Sequence, residues 1–176
     1  VPEDGAAGCG EAPWGAAGGI AGAVYVDPAS SDDVEDGTAL HPMKSLAQAL
    51  AAVPESGTVV LAEGEYAEAV LIEKSVSLRG RCASKVRVVG TGDYADIDQN
   101  PVVALVRNAS AVSFQGIGFG GAGIGVLVVD ASVELRECTV RNAVGFGVKA
   151  VGASASATLD SCLIEGMLPG KDPRST

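Results

Sequence analysis

Residues 132–166 read SVELRECTVRNAVGFGVKAVGASASATLDSCLIEG, and one apolar phrase occurs in them twice. Cys138 and Cys162 stand 24 residues apart, each behind a Val/Ala-x-Leu triplet. Earlier segments join the same alignment. SVSL (75–78), AVSF (111–114), SVEL (132–135) and SATL (156–159) superimpose, as do VRV (86–88), IGF (117–119), CTV (138–140) and CLI (162–164). The second set advances by 31, 21 and 24 residues, and GIGV (123–126) with GFGV (145–148) adds a third match.

A repeat of roughly 20–25 residues carrying three short strands is one coil of a parallel β-helix. Coils stack about 4.8 Å apart, so equivalent side chains pile into inward-facing ladders. The predicted ladders are Leu78, Phe114, Leu135, Leu159 and Val88, Phe119, Val140, Ile164, with Cys138 and Cys162 on one line with Val86 and Ile117. The recurrence of cysteine is then a packing feature.

The rest of the chain agrees. From Gly57 onward, short runs separated by glycine and polar turns replace any helical period. They fall at 59–61, 70–72, 76–78, 86–89, 102–106, 112–114, 117–119, 126–129, 133–135, 138–140, 148–151, 157–159 and 162–164. Before them, Val24–Val26 reads as a strand and 27–40 as a polar loop. Pro42 suits a first helical position, and Met43, Leu46, Ala47 and Leu50 share one face, which predicts a helix over 43–52. Leu46 and Leu50 would cover the apolar end of the first coil. The expected organisation is an irregular arm over 1–23 pinned by Trp14, a β-helix domain over 24–166, and a polar tail over 167–176. That tail is short for a cap, so the chain is expected either to continue past Thr176 or to use Met167 and Leu168 as cover. The fold class is all-β, a parallel β-helix with one N-terminal capping α-helix.

Composition narrows the partners. The 176 residues carry 47% hydrophobic but only 4% aromatic side chains, which suits thin layers of Val, Ile, Leu and Ala. Twelve basic residues against 22 acidic ones give a net charge of −10, so no nucleic acid partner is expected. No run of 18 apolar residues exists, and no membrane span is expected.

Val24 to Gly80 carries a further pattern: a Tyr25-Val26-Asp27 strand, an Asp/Gly loop, a Pro-led helix, then Gly57-Thr-Val-Val-Leu-Ala-Glu-Gly64-Glu-Tyr66-Ala-Glu68. It resembles the start of right-handed parallel β-helix proteins of the pectin-lyase-like superfamily, and the likeness runs on to Gly166. CGEAPWG (9–15) with GRC (80–82) resembles a group of secreted or surface-attached bacterial β-helix proteins. The resemblance implies a right-handed, single-stranded helix and an extracellular or cell-surface location. It also implies enzymes that attack acidic polysaccharide with paired carboxylates, or with calcium-held carboxylates and an Arg or Lys base.

The residues do not supply that machinery. Arg87, Gly118, Thr139 and Leu163 form one outward column, and Ser77, Ser113, Glu134 and Thr158 another. Neither holds an Asp/Asp or Asp/Arg stack, while Arg79, Arg136, Arg141 and Lys149 read as scattered surface charge. Catalytic residues are therefore unassigned. His41, the one histidine, reads as a cap-region residue, which leaves a Ser/His/Asp triad unsupported. No cofactor is expected. The calcium candidates are Asp93, Asp96 and Asp98 in the insertion 90–100, and the run Asp32, Asp33, Glu35, Asp36, although neither fits EF-hand spacing. Four cysteines allow three full pairings. A Cys9–Cys82 bridge tying arm to coil is the preferred one, with Cys138 and Cys162 as reduced core thiols. The expected role is a non-catalytic surface module presenting a flat face to polysaccharide or a cell-surface protein. The alternative is the N-terminal part of a polysaccharide lyase, hydrolase or esterase with its active coils beyond Thr176.

Overall fold

The structure is a computed structural model describing residues 9–121 and 123–168; residues 1–8 of the arm and 169–176 of the tail lie outside it. Strands of two to seven residues wind into three parallel sheets. The first sheet stacks β1 (Val24–Val26), β2 (Gly57–Leu61), β5 (Val76–Gly80), β9 (Val112–Gln115), β12 (Ser132–Arg136) and β15 (Ser156–Asp160). The second holds β3 (Gly64–Tyr66), β6 (Val86–Val89), β10 (Gly118–Gly120), β13 (Thr139–Arg141) and β16 (Leu163–Glu165). The third holds β4 (Val70–Ile72), β8 (Pro101–Arg107), β11 (Ile124–Val129) and β14 (Val148–Val151), with β7 (Tyr94–Ala95) antiparallel on β8. The chain is a parallel β-helix.

Register follows the repeat. Leu78, Phe114, Leu135 and Leu159 are successive partners in the first sheet, and Val88, Phe119, Val140 and Ile164 in the second. Phe114 and Phe119 meet edge-on with centroids 5.2 Å apart, spanning two walls of one coil. Each fully buried Leu, Val, Ile or Phe stabilises the stack by roughly 1.5–3 kcal/mol. Left-handed turn residues repeat as well: Gly116, Glu137 and Ser161 (φ 66°, 51° and 54°) end the first-sheet strands of consecutive coils. Asn108, Asp130 and Gly152 do the same after the third sheet. Asn, Asp and Gly reach this region at low cost, and it forces the bend between walls.

The N-terminal end is closed by α1 (Leu46–Ala52), which buries Leu46, Ala49 and Leu50. Two residues of the Gly64–Glu68 motif secure it. The buried Tyr66 hydroxyl donates to the carbonyls of Val26 (3.0 Å) and Ala62 (2.9 Å), joining the first strand to the first coil. Glu68 accepts from the backbone amides of Leu46 (2.9 Å) and Ala47 (3.0 Å) and from the Ser45 hydroxyl (2.8 Å). A carboxylate thus satisfies orphan donors at a helix start from 22 residues away.

Several expectations need correction. The helix begins at Leu46 behind the N-cap Ser45; Met43 instead bridges to Val26, so the face drawn through Met43 belongs partly to the sheet. His41 does not cap the helix; its Nδ1 lies 2.6 Å from Asp32 Oδ2 and closes the loop before it. β3 and β7 were not expected, because Gly-Glu-Tyr and Tyr-Ala lack the β-branched runs that mark the other strands. In the last coil Leu159 and Ile164 keep their ladder register but are 42% and 40% exposed, since no further coil covers them among the described residues.

Replacing Tyr66 with Phe should cost about 1–2 kcal/mol by removing the donor that two carbonyls share. Glu68→Ala should cost a similar amount, about 1–2 kcal/mol, as a lost helix cap. Urea unfolding of each variant measures this; losses of less than roughly 0.5 kcal/mol in both would mean the first coil is held by other contacts.

Candidate functional site

Alternation in the first-sheet strands turns every second side chain outward. One outward column runs Thr58, Ser77, Ser113, Glu134, Thr158, with the Ser77 and Ser113 hydroxyls 2.8 Å apart. Two residues further along each strand lies a second: Tyr25, Val60, Arg79, Gln115, Arg136, Asp160. Arg79 and Arg136 therefore share one column, contrary to the expectation of scattered charge, and Asp160 follows Arg136 directly. Sequence reading missed this column by stopping each repeat at its last apolar residue; extending the alignment by one residue finds it.

Hydrogen bonds organise the column. Arg136 Nη2 donates to Glu134 Oε1 at 2.7 Å, and Gln115 Nε2 donates to Glu137 Oε2 at 3.2 Å. The Glu134 carboxylate, by hydrogen bond and charge, raises the pKa of Arg136. Arg79 is exposed and has no carboxylate partner among the described residues. Elsewhere, outward arginines pair with acids one coil away: Arg87 with Glu65 (3.3 Å), Arg107 with Glu73 (2.8 Å), Arg141 with Glu165 (2.7 Å). Such exposed pairs contribute little to stability.

Beside this column, where the first sheet turns into the second, lies a cleft of about 510 Å³. Its polar lining includes Arg79, Arg81, Gln115, Glu137, Thr139 and Ser161. The corner is concave because coils approach there backbone to backbone. A Cβ on Gly116 (φ 66°) would lie 2.9 Å from the Gly80 carbonyl oxygen, and one on Gly80 would lie 2.4 Å from that of Gly116. No side chain fits the floor.

The N-terminal arm forms the cleft's end wall through Cys9, Ala16 and Ala17. A Cys9–Cys82 disulfide joins it to the turn after β5. The Arg81 guanidinium donates to the carbonyls of Gly10 (2.6 Å) and Cys9 (3.4 Å) and pairs with Glu63. Trp14 packs edge-on against Tyr25 at 4.9 Å, and the Pro13 carbonyl accepts from the Glu63 amide at 3.1 Å.

The acidic candidates lie apart from this cleft. Asp96 is buried and accepts from the amides of Asp98 (3.0 Å) and Asn100 (2.8 Å) and from Lys149 Nζ (2.8 Å). Burial opposes its ionisation, but Lys149 and Asn100 outweigh that and hold its carboxyl at about 2. Lys149, itself raised by Asp96, occupies the position a cation would take. Asp93 turns to Thr91, and Asp98 lies 3.7 Å from Lys149, so the three carboxylates do not converge on a free site. Asp32 is lowered by the Val34 amide and His41, Glu35 binds the Lys44 amide, and Asp36 binds that of Thr38. Among the described residues no group of three or more His, Cys, Asp or Glu is placed to hold a metal. Cys138 is a buried free thiol and Cys162 a half-buried one. The neighbouring Cys162 thiol, with burial, raises the pKa of Cys138, and Cys138 lowers that of Cys162. No described helix is long and apolar enough to cross a membrane.

A family model described as "Protein of unknown function (DUF1565)" matches residues 29–168. Among solved structures, the crystal structure of a mutant pectin methylesterase in complex with a hexasaccharide is similar, with a TM-score of 0.57 and 14% identity. The match covers 81% of this chain and 49% of that one, so the chain spans about half the length of the esterase. At that identity the likeness shows the fold alone. No curated protein matches the chain.

The Asp96–Lys149 tie holds the insertion 90–100 against the third sheet, and its pH dependence has a definite sign. Asp96 titrates at about 2 when folded against an ordinary 3.8, so its ionisation adds stability that is complete above about pH 4. That contribution is lost as pH falls through 2. Lys149→Met should cost about 2 kcal/mol near pH 7 by stranding the carboxylate, and should move the acid limb of stability to higher pH. Adding Asp96→Asn should recover part of the loss. Unfolding curves from pH 2 to 7 check both; an unchanged acid limb in Lys149→Met would contradict the tie.

Proposed function

The chain belongs to the DUF1565 family, a parallel β-helix family, and from that premise we propose that it is a non-catalytic module binding polysaccharide along the first sheet's outer face and its adjoining cleft. One observation carries the reading: two in-register columns of hydrogen-bonding side chains border a concave corner that holds Arg79, which has no acidic partner among the described residues. Sugars are recognised by planar polar groups at fixed positions in a concavity, and Arg and Gln are such groups. The coil spacing of about 4.8 Å repeats those groups along a line, as an extended polymer repeats its hydroxyls.

Hydrolysis by paired acids needs two free carboxyls facing one bond. Beside the cleft Glu134 is engaged by Arg136, and within it Glu137 is engaged by Gln115, which favours binding over catalysis. The neighbouring fold of a pectin methylesterase makes pectin-type chains the first probe. The Cys9–Cys82 disulfide supports an oxidising, extracellular setting.

Calorimetric titration with oligosaccharides of de-esterified pectin tests the proposal. Arg79→Ala should weaken binding about tenfold, roughly 1.4 kcal/mol. Arg87→Ala, on the second sheet, should leave it unchanged. Absence of binding at millimolar sugar, or equal losses in the two variants, would refute the site.

A further inference from the structure

The cleft has one blocked end, and the block belongs to the fold. It follows the corner through four successive coils, from Arg79 and Gly80 past Gln115 and Glu137 to Ser161. Three steps at about 4.8 Å make it roughly 14 Å long, parallel to the axis of the stack. The column that borders it does not stop at Arg79. It continues in register to Val60 and Tyr25, but there the arm lies on top: Ala17, Tyr25 and Val60 form a small apolar cluster with Trp14 packed against it. A polymer laid along the column would therefore meet the arm immediately beyond Arg79.

The arm is not placed to swing aside. The disulfide, the two Arg81 hydrogen bonds, the Glu63–Pro13 backbone bond and the Trp14–Tyr25 contact hold it at separate points. Contact is also close. A Cβ on Gly15 (φ 61°) would fall 2.8 Å from Arg81 Cγ, so at that point the arm packs directly against the coil. At the opposite end, Ser161 and Leu163 border the cleft and nothing crosses it among the described residues.

We infer that the cleft is a one-ended trough that takes the terminus of a polysaccharide chain, with its last sugar against the arm and beside Arg79, and not a segment from the chain's interior. This rests on the polysaccharide reading above and adds which part of the polymer is recognised. An interior-binding face is open at both ends; here the fold has built a wall across one of them. Arg79, an exposed arginine with no acidic partner among the described residues, stands at the wall, where a terminal residue would meet it.

The test compares de-esterified pectin with the same material cut until its chain ends are about tenfold more numerous, at equal sugar mass, against the intact wild-type protein. End recognition predicts half-saturation at about tenfold less sugar mass for the cut material, because sites are counted by ends. Equal half-saturation per mass would overturn the inference and leave the binding function standing. No binding of either probe would overturn both. The paired change Cys9→Ser with Cys82→Ser, combined with Arg81→Ala and Trp14→Ala, removes the side-chain ties of the wall, and the tenfold advantage of the cut material should shrink toward none. A full advantage in that variant, with the arm shown by proteolysis to be released, would also refute the trough.

Discussion

Each coil hydrogen-bonds to the next at one spacing, and a slip of one residue would turn every inward side chain outward. All else in the molecule answers to that constraint. Insertions are tolerated only in turns, which is why the 31-residue step of the second-sheet repeat, from Val86 to Ile117, carries the loop 90–100 and leaves the ladder undisturbed. The stack also needs a start that cannot slip. Tyr66 and Glu68 provide it, one by tying the first strand to the first coil from within, the other by fixing the helix that covers the end.

The cleft is a consequence of the same stacking. Where walls meet, consecutive coils bend through left-handed residues, and at Gly80 and Gly116 their backbones come closer than any side chain permits. A groove at that corner follows. Because register is shared, the polar residues beside the groove line up without any local device: Arg79, Gln115, Arg136 and Asp160 are neighbours although more than twenty residues separate each from the next. A site on such a scaffold is written at the period of the coil.

That periodicity governs what can be read from the chain alone. The ladders Leu78–Leu159 and Val88–Ile164 are visible because identical environments demand similar residues, and the recurring phrase around Cys138 and Cys162 is the plainest case. The second outward column belonged to the same repeat and was legible in principle, but its members differ chemically, so no likeness drew attention to it. Contacts outside the repeat leave no such trace. Ser45 starts the helix with help from Glu68, whereas Pro42 offered the stronger local signal. Lys149 meets Asp96 from 53 residues away, turning an apparent calcium loop into an internal ion pair. The tie of arm to coil was legible as the preferred Cys9–Cys82 pairing, with partners 73 residues apart, but that the arm so held walls the end of a groove could not be seen from either segment alone.

Charge sharpens the picture of the site. With a net charge of −10 the protein repels anions at a distance, yet among the described residues the arginines other than Arg79 have acidic partners at hand. The repulsion is long-ranged and screened over about 8 Å at physiological ionic strength, while contact with Arg79 acts inside that length. Salt therefore weakens the barrier to approach more than the contact itself. A carboxylate-bearing sugar would meet attraction at Arg79 against that screened repulsion, whereas a neutral one would meet Arg79 as a hydrogen-bond donor alone. On the proposed reading, selectivity would come from an arginine that has no acidic partner among the described residues and stands at the end of a groove.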